Sequence, residues 1–161
     1  MKKIILAIAV TISCMATNAQ LKTTTTCATI SVDLLTGKVN DLPLGTQSAE
    51  LKKILPCFTG SVEATDKCGA AVIYKDKDFT YFTTRGYVEI GEKFKGKLSI
   101  PLMGAARNSL FKLLGNPKVK DVNWDAYTTA YGIMIVYFNK ANKINKIQFS
   151  NQSEQTIQLC E

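Results

Sequence analysis

Leu102-Met103-Gly104-Ala105-Ala106-Arg107-Asn108-Ser109-Leu110-Phe111-Lys112-Leu113-Leu114-Gly115-Asn116-Pro117 is the stretch from which the fold is read. Leu110, Phe111, Leu113 and Leu114 recur at helical spacing, so a helix over 105–114 is expected with these four on its inner side. Gly115 followed by Pro117 stops it in the usual order, glycine for the left-handed C-terminal position and proline just beyond.

Downstream, 124–130, 133–138 and 144–149 are apolar runs rich in β-branched and aromatic residues, and 139–142 is the polar turn of the last hairpin. One helix followed by a three-stranded antiparallel meander is therefore expected in the second half.

Upstream, the same plan is expected again. An alternating first strand over 28–35 turns at Thr36 and Gly37, returns through Lys38 and Val39, and leads by 41–45 into a helix over 48–55. Leu51, Ile54 and Leu55 form its apolar side, Thr46 or Ser48 is the expected cap, and Pro56 ends it. The stretch 59–68 is polar and loop-like, after which 70–74, 79–83 and 87–90 form a second meander with turns at 75–78 and 84–86. A charged, glycine-flanked connector at 91–96 marks the midpoint, and 98–102 is a short strand or lead. Leu42-Pro43-Leu44 matches Ile100-Pro101-Leu102, the group Leu51, Lys53, Ile54, Leu55 matches Leu110, Lys112, Leu113, Leu114, and Tyr81-Phe82 matches Tyr137-Phe138.

Each half is too small to bury a stable core alone. The expected class is α+β, with two helix-plus-antiparallel-meander repeats forming one continuous sheet and both helices packed on one face. The expected organisation is a leader at 1–19, an N-terminal strand and first repeat at 20–96, and a second repeat with a C-terminal tail at 97–161, the latter two sharing a core.

The run 102–117, with its glycine before a helix and Leu113-Leu114-Gly115-Asn116-Pro117 at the end, followed by aromatic strands, resembles the SmpA/OmlA or BamE-like domain. Tandem copies of such a unit are similar to the β-lactamase-inhibitor-protein fold. The likeness spans most of 42–149 and departs from the pattern at Pro56-Cys57 and at Met103. It implies a non-catalytic, envelope-located binding domain.

Lys2 and Lys3, an apolar run from Ile4 to Ile12, and small residues at Thr17, Asn18 and Ala19 have the three parts of a secretory signal, with cleavage expected after Ala19. The apolar run is about half of the roughly twenty residues that span a bilayer. Cys14 after Ile12 and Ser13 loosely matches a lipoprotein site, although Thr11 stands where leucine is usual, so a lipid anchor is the lesser alternative. The expected location is the periplasm or cell surface of a Gram-negative bacterium. There Cys27, Cys57, Cys68 and Cys160 form two disulfides; of the three connectivities, Cys57 with Cys68 and Cys27 with Cys160 is favoured, since one closes a short loop and the other ties the ends. No CxxC spacing or activating basic neighbour points to a reactive thiol or zinc.

Removing Lys2 and Lys3 leaves 18 basic against 13 acidic residues, a net charge of +5 without a basic run. A solvated basic surface follows; the remaining reading is an acidic protein partner or an envelope surface, and nucleic acid is not expected. The chain has no histidine, which removes the usual general base, the Ser-His and Cys-His pairs and the commonest transition-metal ligand. No catalytic residue, metal or cofactor is expected.

Along 133–138 both alternating sets are apolar, so the strand is either buried on both sides or open to a partner on one. Tyr87, Trp124, Tyr127 and Tyr131, with Arg85, are the residue types that dominate protein interfaces and form the expected partner-binding group. Asp76 and Asp78 in the Lys75-Asp76-Lys77-Asp78 turn add a charged hairpin tip, with no further acidic ligands in calcium-loop spacing. The leading expectation is an exported protein-binding module, in sharper form an inhibitor or immunity protein. A structural envelope (lipo)protein in a membrane-associated complex and a small carboxylate-dependent hydrolase, using pairs such as Glu89 and Glu92, are the alternatives.

Overall fold

The computed structural model describes residues 26–160. The leader, its cleavage position and Cys14 lie outside those residues. From the N-terminal side, β1 (Ser31–Asp33), β2 (Lys38–Val39) and β3 (Leu42–Pro43) form a tight meander, narrower than the strand expected over 28–35. Asn40 and Asp41 both take positive φ, which completes the second reversal in two residues.

The first helix, α1 (Ser48–Ile54), buries Leu51 and ends where the Leu55 amide donates to the Leu51 carbonyl. Neither expected cap operates. The Thr46 hydroxyl donates to the Pro43 carbonyl and the Ser48 hydroxyl pairs with that of Thr83, leaving Gln47 at the N-cap without a side-chain bond. Next come β4 (Gly60–Val62), β5 (Ala71–Tyr74), β6 (Phe79–Phe82), β7 (Tyr87–Gly91) and β8 (Lys97–Leu98). The second helix, α2 (Leu110–Leu114), leads to β9 (Val119–Lys120), β10 (Trp124–Thr129), β11 (Gly132–Phe138) and β12 (Ile144–Ser150). The edge strand β4 falls in the 59–68 stretch expected as loop, and β9 lies ahead of the first strand expected after the second helix.

The class is α+β, but two sheets are present where one was expected. The larger has eight strands in the order β4-β5-β6-β7-β12-β11-β10-β9, and the smaller has four, β3-β2-β1-β8. In the smaller sheet β1 pairs parallel with β8, Val32 opposite Leu98. The physical reason is coverage: Ile30, Val32 and Leu34 join the core over the inner face of the large sheet, which the two short helices are too small to close. That core interleaves Val72, Tyr74, Tyr81, Val88, Met134, Val136, Ile147 and Phe149 with Leu51 of α1 and Leu110 of α2, so both helices sit on one side of the large sheet.

The second helix is half its expected length. Gly104 donates to the Ile144 carbonyl, Ile144 to that of Ala105 and Arg107 to that of Asn142, so the backbone of 104–107 is bonded to the β11–β12 hairpin before a helix can begin. Arg107–Ser109 is a single 3-10 turn. Only Leu110 of the four expected inner residues is fully buried, and Phe111 and Leu113 are 63% and 56% exposed. Gly115 closes α2 at φ 75°, as its position implied.

The disulfides pair otherwise than expected. Cys27 joins Cys57 and Cys68 joins Cys160, with Cα separations of 5.5 and 5.4 Å. The stretch between Cys57 and Cys68 does not close a small loop because β4 carries it along β5 as an edge strand, with Gly60 opposite Ile73. No helix among the described residues is long and apolar enough to cross a membrane.

Candidate binding face

Alternation along the central strands gives the large sheet a second, outer face. On β11 it carries Ile133, Ile135 and Tyr137; on β12 Lys146, Gln148 and Ser150; on β7 Tyr87 and Glu89. The face is half covered by the chain itself. After β12 a turn closed by Ser153 and Thr156 directs the tail back, and Ile157 and Leu159 pack against the cluster of Ala126, Ile133 and Ile135, which Trp124 and Tyr137 border as well. Of the two readings of the 133–138 strand, burial on both sides holds at 133–136, where the tail is part of the cover, while Tyr137 stays partly exposed.

Three links hold the tail. The Arg85 guanidinium donates to the carbonyls of Gln158 and Leu159 at 3.0 Å each and to that of Lys67 at 2.8 Å. The Cys160 amide donates to the Tyr87 hydroxyl at 3.0 Å, and the Cys160 sulfur is bonded to Cys68. Arg85 and Tyr87 therefore fasten this protein's own tail. Tyr87 is wholly buried, its ring stacked on Phe82 at 4.3 Å, and burial raises the pKa of its hydroxyl.

The expected aromatic group is not one surface. Tyr127 points to the inner face and is 4% exposed, while Tyr131 lies edge-on to Phe149 and donates to the Leu34 carbonyl at 3.0 Å. Tyr127 is a core residue because β10 turns Asp125 and Tyr127 inward and Trp124, Ala126 and Thr128 outward, and Tyr131, in the turn after β10, packs partly buried against the same core. Trp124 alone of the four remains partly exposed on the outer face. The hairpin tip is also engaged: Asp76 pairs with Lys77 at 3.0 Å, and the Asp78 carboxylate accepts from the Lys93 amide at 2.7 Å. Asp78 thus orders the chain after β7, and only Asp76 stays an exposed carboxylate.

Beyond the tail, the outer face carries a connected polar and aromatic row. Trp124 stands opposite Tyr137 and Tyr137 opposite Lys146, whose ammonium lies 4.2 Å from the Tyr137 ring centroid. The Tyr137 hydroxyl donates to Gln148 Oε1 at 2.6 Å, and Gln148 Nε2 donates to Glu89 Oε2 at 2.7 Å. Lys146 Nζ reaches the same Glu89 oxygen at 3.6 Å, and Glu89 stands opposite Thr80, which stands opposite Ile73. The row crosses six strands, and its charged members are about one third exposed, Lys146 at 37% and Glu89 at 34%. Sequence reading paired Glu89 with Glu92, placed Tyr137 only within the 133–138 strand that could open to a partner, and missed Lys146 and Gln148. The available signal was the polar alternation Lys146, Gln148, Ser150 along β12.

No family model matches the chain. No curated protein and no solved structure matches it either.

Proposed function

We propose that this chain is an exported, non-catalytic protein-binding module that engages another envelope or secreted protein through the half of its outer sheet face that the 157–160 tail does not cover. The row from Trp124 to Ile73 carries this reading. Its polar groups are already hydrogen-bonded to one another, so little side-chain freedom is lost on binding, and aromatic rings flank them as in interface cores. Two disulfides and the leader pattern support an extracytoplasmic setting.

The tandem-repeat reading belongs to the same proposal. The β4–β7 meander and the β9–β12 strands meet edge to edge at β7 and β12, each after a helix on the inner face, which supports two SmpA/OmlA-like units. The hydrolase alternative draws less support: Glu89 is held by Gln148 and Lys146, and Asp125 by Arg107, rather than by a second carboxylate.

Affinity capture from envelope and culture fractions tests the reading, using oxidised mature protein beside Trp124→Ala and Lys146→Glu variants. One protein retained by the parent and lost by both variants is the expected result. Equal retention by all three overturns the assignment of this face.

A further inference from the structure

On the inner side of the large sheet, between α2, the start of β10 and the 139–143 turn, lies a cleft of about 550 Å³ that the sheet-face reading does not use. Arg107 and Asp125 form its polar floor. Arg107 Nε donates to Asp125 Oδ2 at 3.0 Å and the Nη2 group donates to Oδ1, while two backbone carbonyls, of Val122 and Asp121, accept one further guanidinium bond each. The guanidinium also stacks over the Phe138 ring at 4.6 Å, and the Asp125 side chain is 3% exposed. The pair is therefore rigid and charge-compensated.

Tyr127 lines the same cleft; its ring is buried, 4% exposed, while its hydroxyl makes no hydrogen bond among the described residues and is open to the cleft, since no buried side-chain polar atom there lacks a partner. It is the exception among the inner-face tyrosines: the hydroxyls of Tyr74, Tyr81 and Tyr131 donate to the carbonyls of Leu55, Pro43 and Leu34. A hydroxyl left unbonded by the protein and open to a cleft is free to donate to or accept from a bound molecule. Across the opening stands Phe111, with much of its ring exposed, and Asn108 and Asn116 line the rim.

We infer that the cleft binds a neutral, hydroxyl-rich ring molecule, a saccharide unit, either free or carried on an envelope polysaccharide. A sugar ring offers C–H faces to an aromatic such as Phe111 and hydroxyls that both donate and accept, which matches amides, a tyrosine hydroxyl and the unused carboxylate lone pairs of Asp125. A phosphate or carboxylate fits less well. It would compete with Asp125 for a guanidinium that is already bidentate and would face that buried carboxylate directly. Concave sites with an apolar wall and a few convergent polar groups are the usual form of small-molecule pockets, and the volume lies in their range.

The test is a ¹H–¹⁵N titration of oxidised mature protein with N-acetylglucosamine, cellobiose and, as anion control, acetate, together with co-sedimentation on insoluble peptidoglycan. Saturable shifts at the amides of Asn108, Phe111, Asn116 and Tyr127 with a saccharide but not acetate are expected, or sedimentation with peptidoglycan if the unit is chain-borne. In either arm Tyr127→Phe, which keeps the ring, is expected to weaken binding about tenfold, the loss of one buried hydrogen bond. Phe111→Ala, at an exposed position, is expected to weaken it at least as much. No saccharide response in either arm, a response to acetate alone, or binding unchanged in both variants overturns the inference.

Discussion

Cys160 is bonded to Cys68, their α-carbons 5.4 Å apart across 92 positions of sequence, and this bond draws the C-terminal tail over the outer face of the large sheet. The tail is thus part of the second core. Replacing both cysteines by serine is expected to lower stability by about 2–4 kcal/mol in urea unfolding, through the larger unfolded ensemble. It should also raise dye binding at Ile133 and Ile135, and a variant with parental stability and no new dye binding would show that Arg85 and Tyr87 hold the tail unaided.

Arg107 and Asp125 are a buried pair in which each ion depends on the other. Arg107→Leu leaves the Asp125 carboxylate buried without its counter-ion, and a loss of about 3–5 kcal/mol is expected. Adding Asp125→Leu should recover a substantial part of that loss. Additive losses in the double variant would mean that the pair is not coupled.

Tyr131 gives a pH dependence. Burial pushes its hydroxyl from the ordinary 10.0 up to about 12. Below pH 10 the proton is present in both folded and unfolded states, and the contribution of the native environment is complete. Between 10 and about 12 only the unfolded chain releases it, so stability falls as pH rises through that window. Tyr131→Phe should flatten this part of the alkaline unfolding profile, measured by circular dichroism, while lowering stability near neutral pH through the lost bond to Leu34.

Gly37 has φ +67° and its backbone lies directly on the Tyr131 ring, where an added Cβ would come within 2.5 Å of the ring carbons. Gly37→Ala is expected to cost at least about 2 kcal/mol, from left-handed strain and displacement of the ring together. A loss below half of that in thermal unfolding would show that the 34–38 turn moves freely.

Asp33 carries the opposite pH sign. The Thr36 hydroxyl first, and then the Leu35 amide, hold its carboxyl below the usual carboxylate range. The stabilisation is present above the ordinary carboxylate pKa and is lost as pH falls through the lowered folded value. Thr36→Ala should raise the Asp33 pKa seen by NMR titration and move the onset of acid weakening to higher pH.

The central strands were legible because each has a local cause. The runs at 133–138 and 144–149 alternate or are apolar throughout, and β11 and β12 occupy almost those positions. Gly115 as a helix stop is likewise local chemistry. The length of α2 was not legible, because Gly104, Ala105 and Arg107 spend backbone bonds on Ile144 and Asn142, far along the chain. Nor was the orientation of Tyr127 and Tyr131: a tyrosine has the same composition signature whether its ring faces a partner or Phe149.

What the sequence determined by itself was the class of elements, the leader-like pattern, the even number of cysteines after residue 19 and the lack of histidine, all properties of neighbours or of composition. Tertiary structure alone decided which cysteines meet, which sheet face the tail covers, and that Tyr137, Gln148, Glu89 and Lys146 form one row while Arg107, Asp125 and Tyr127 line one cleft. Those groupings depend on cross-strand register and on the side each strand turns inward, and a shift of one residue in register would reverse every face.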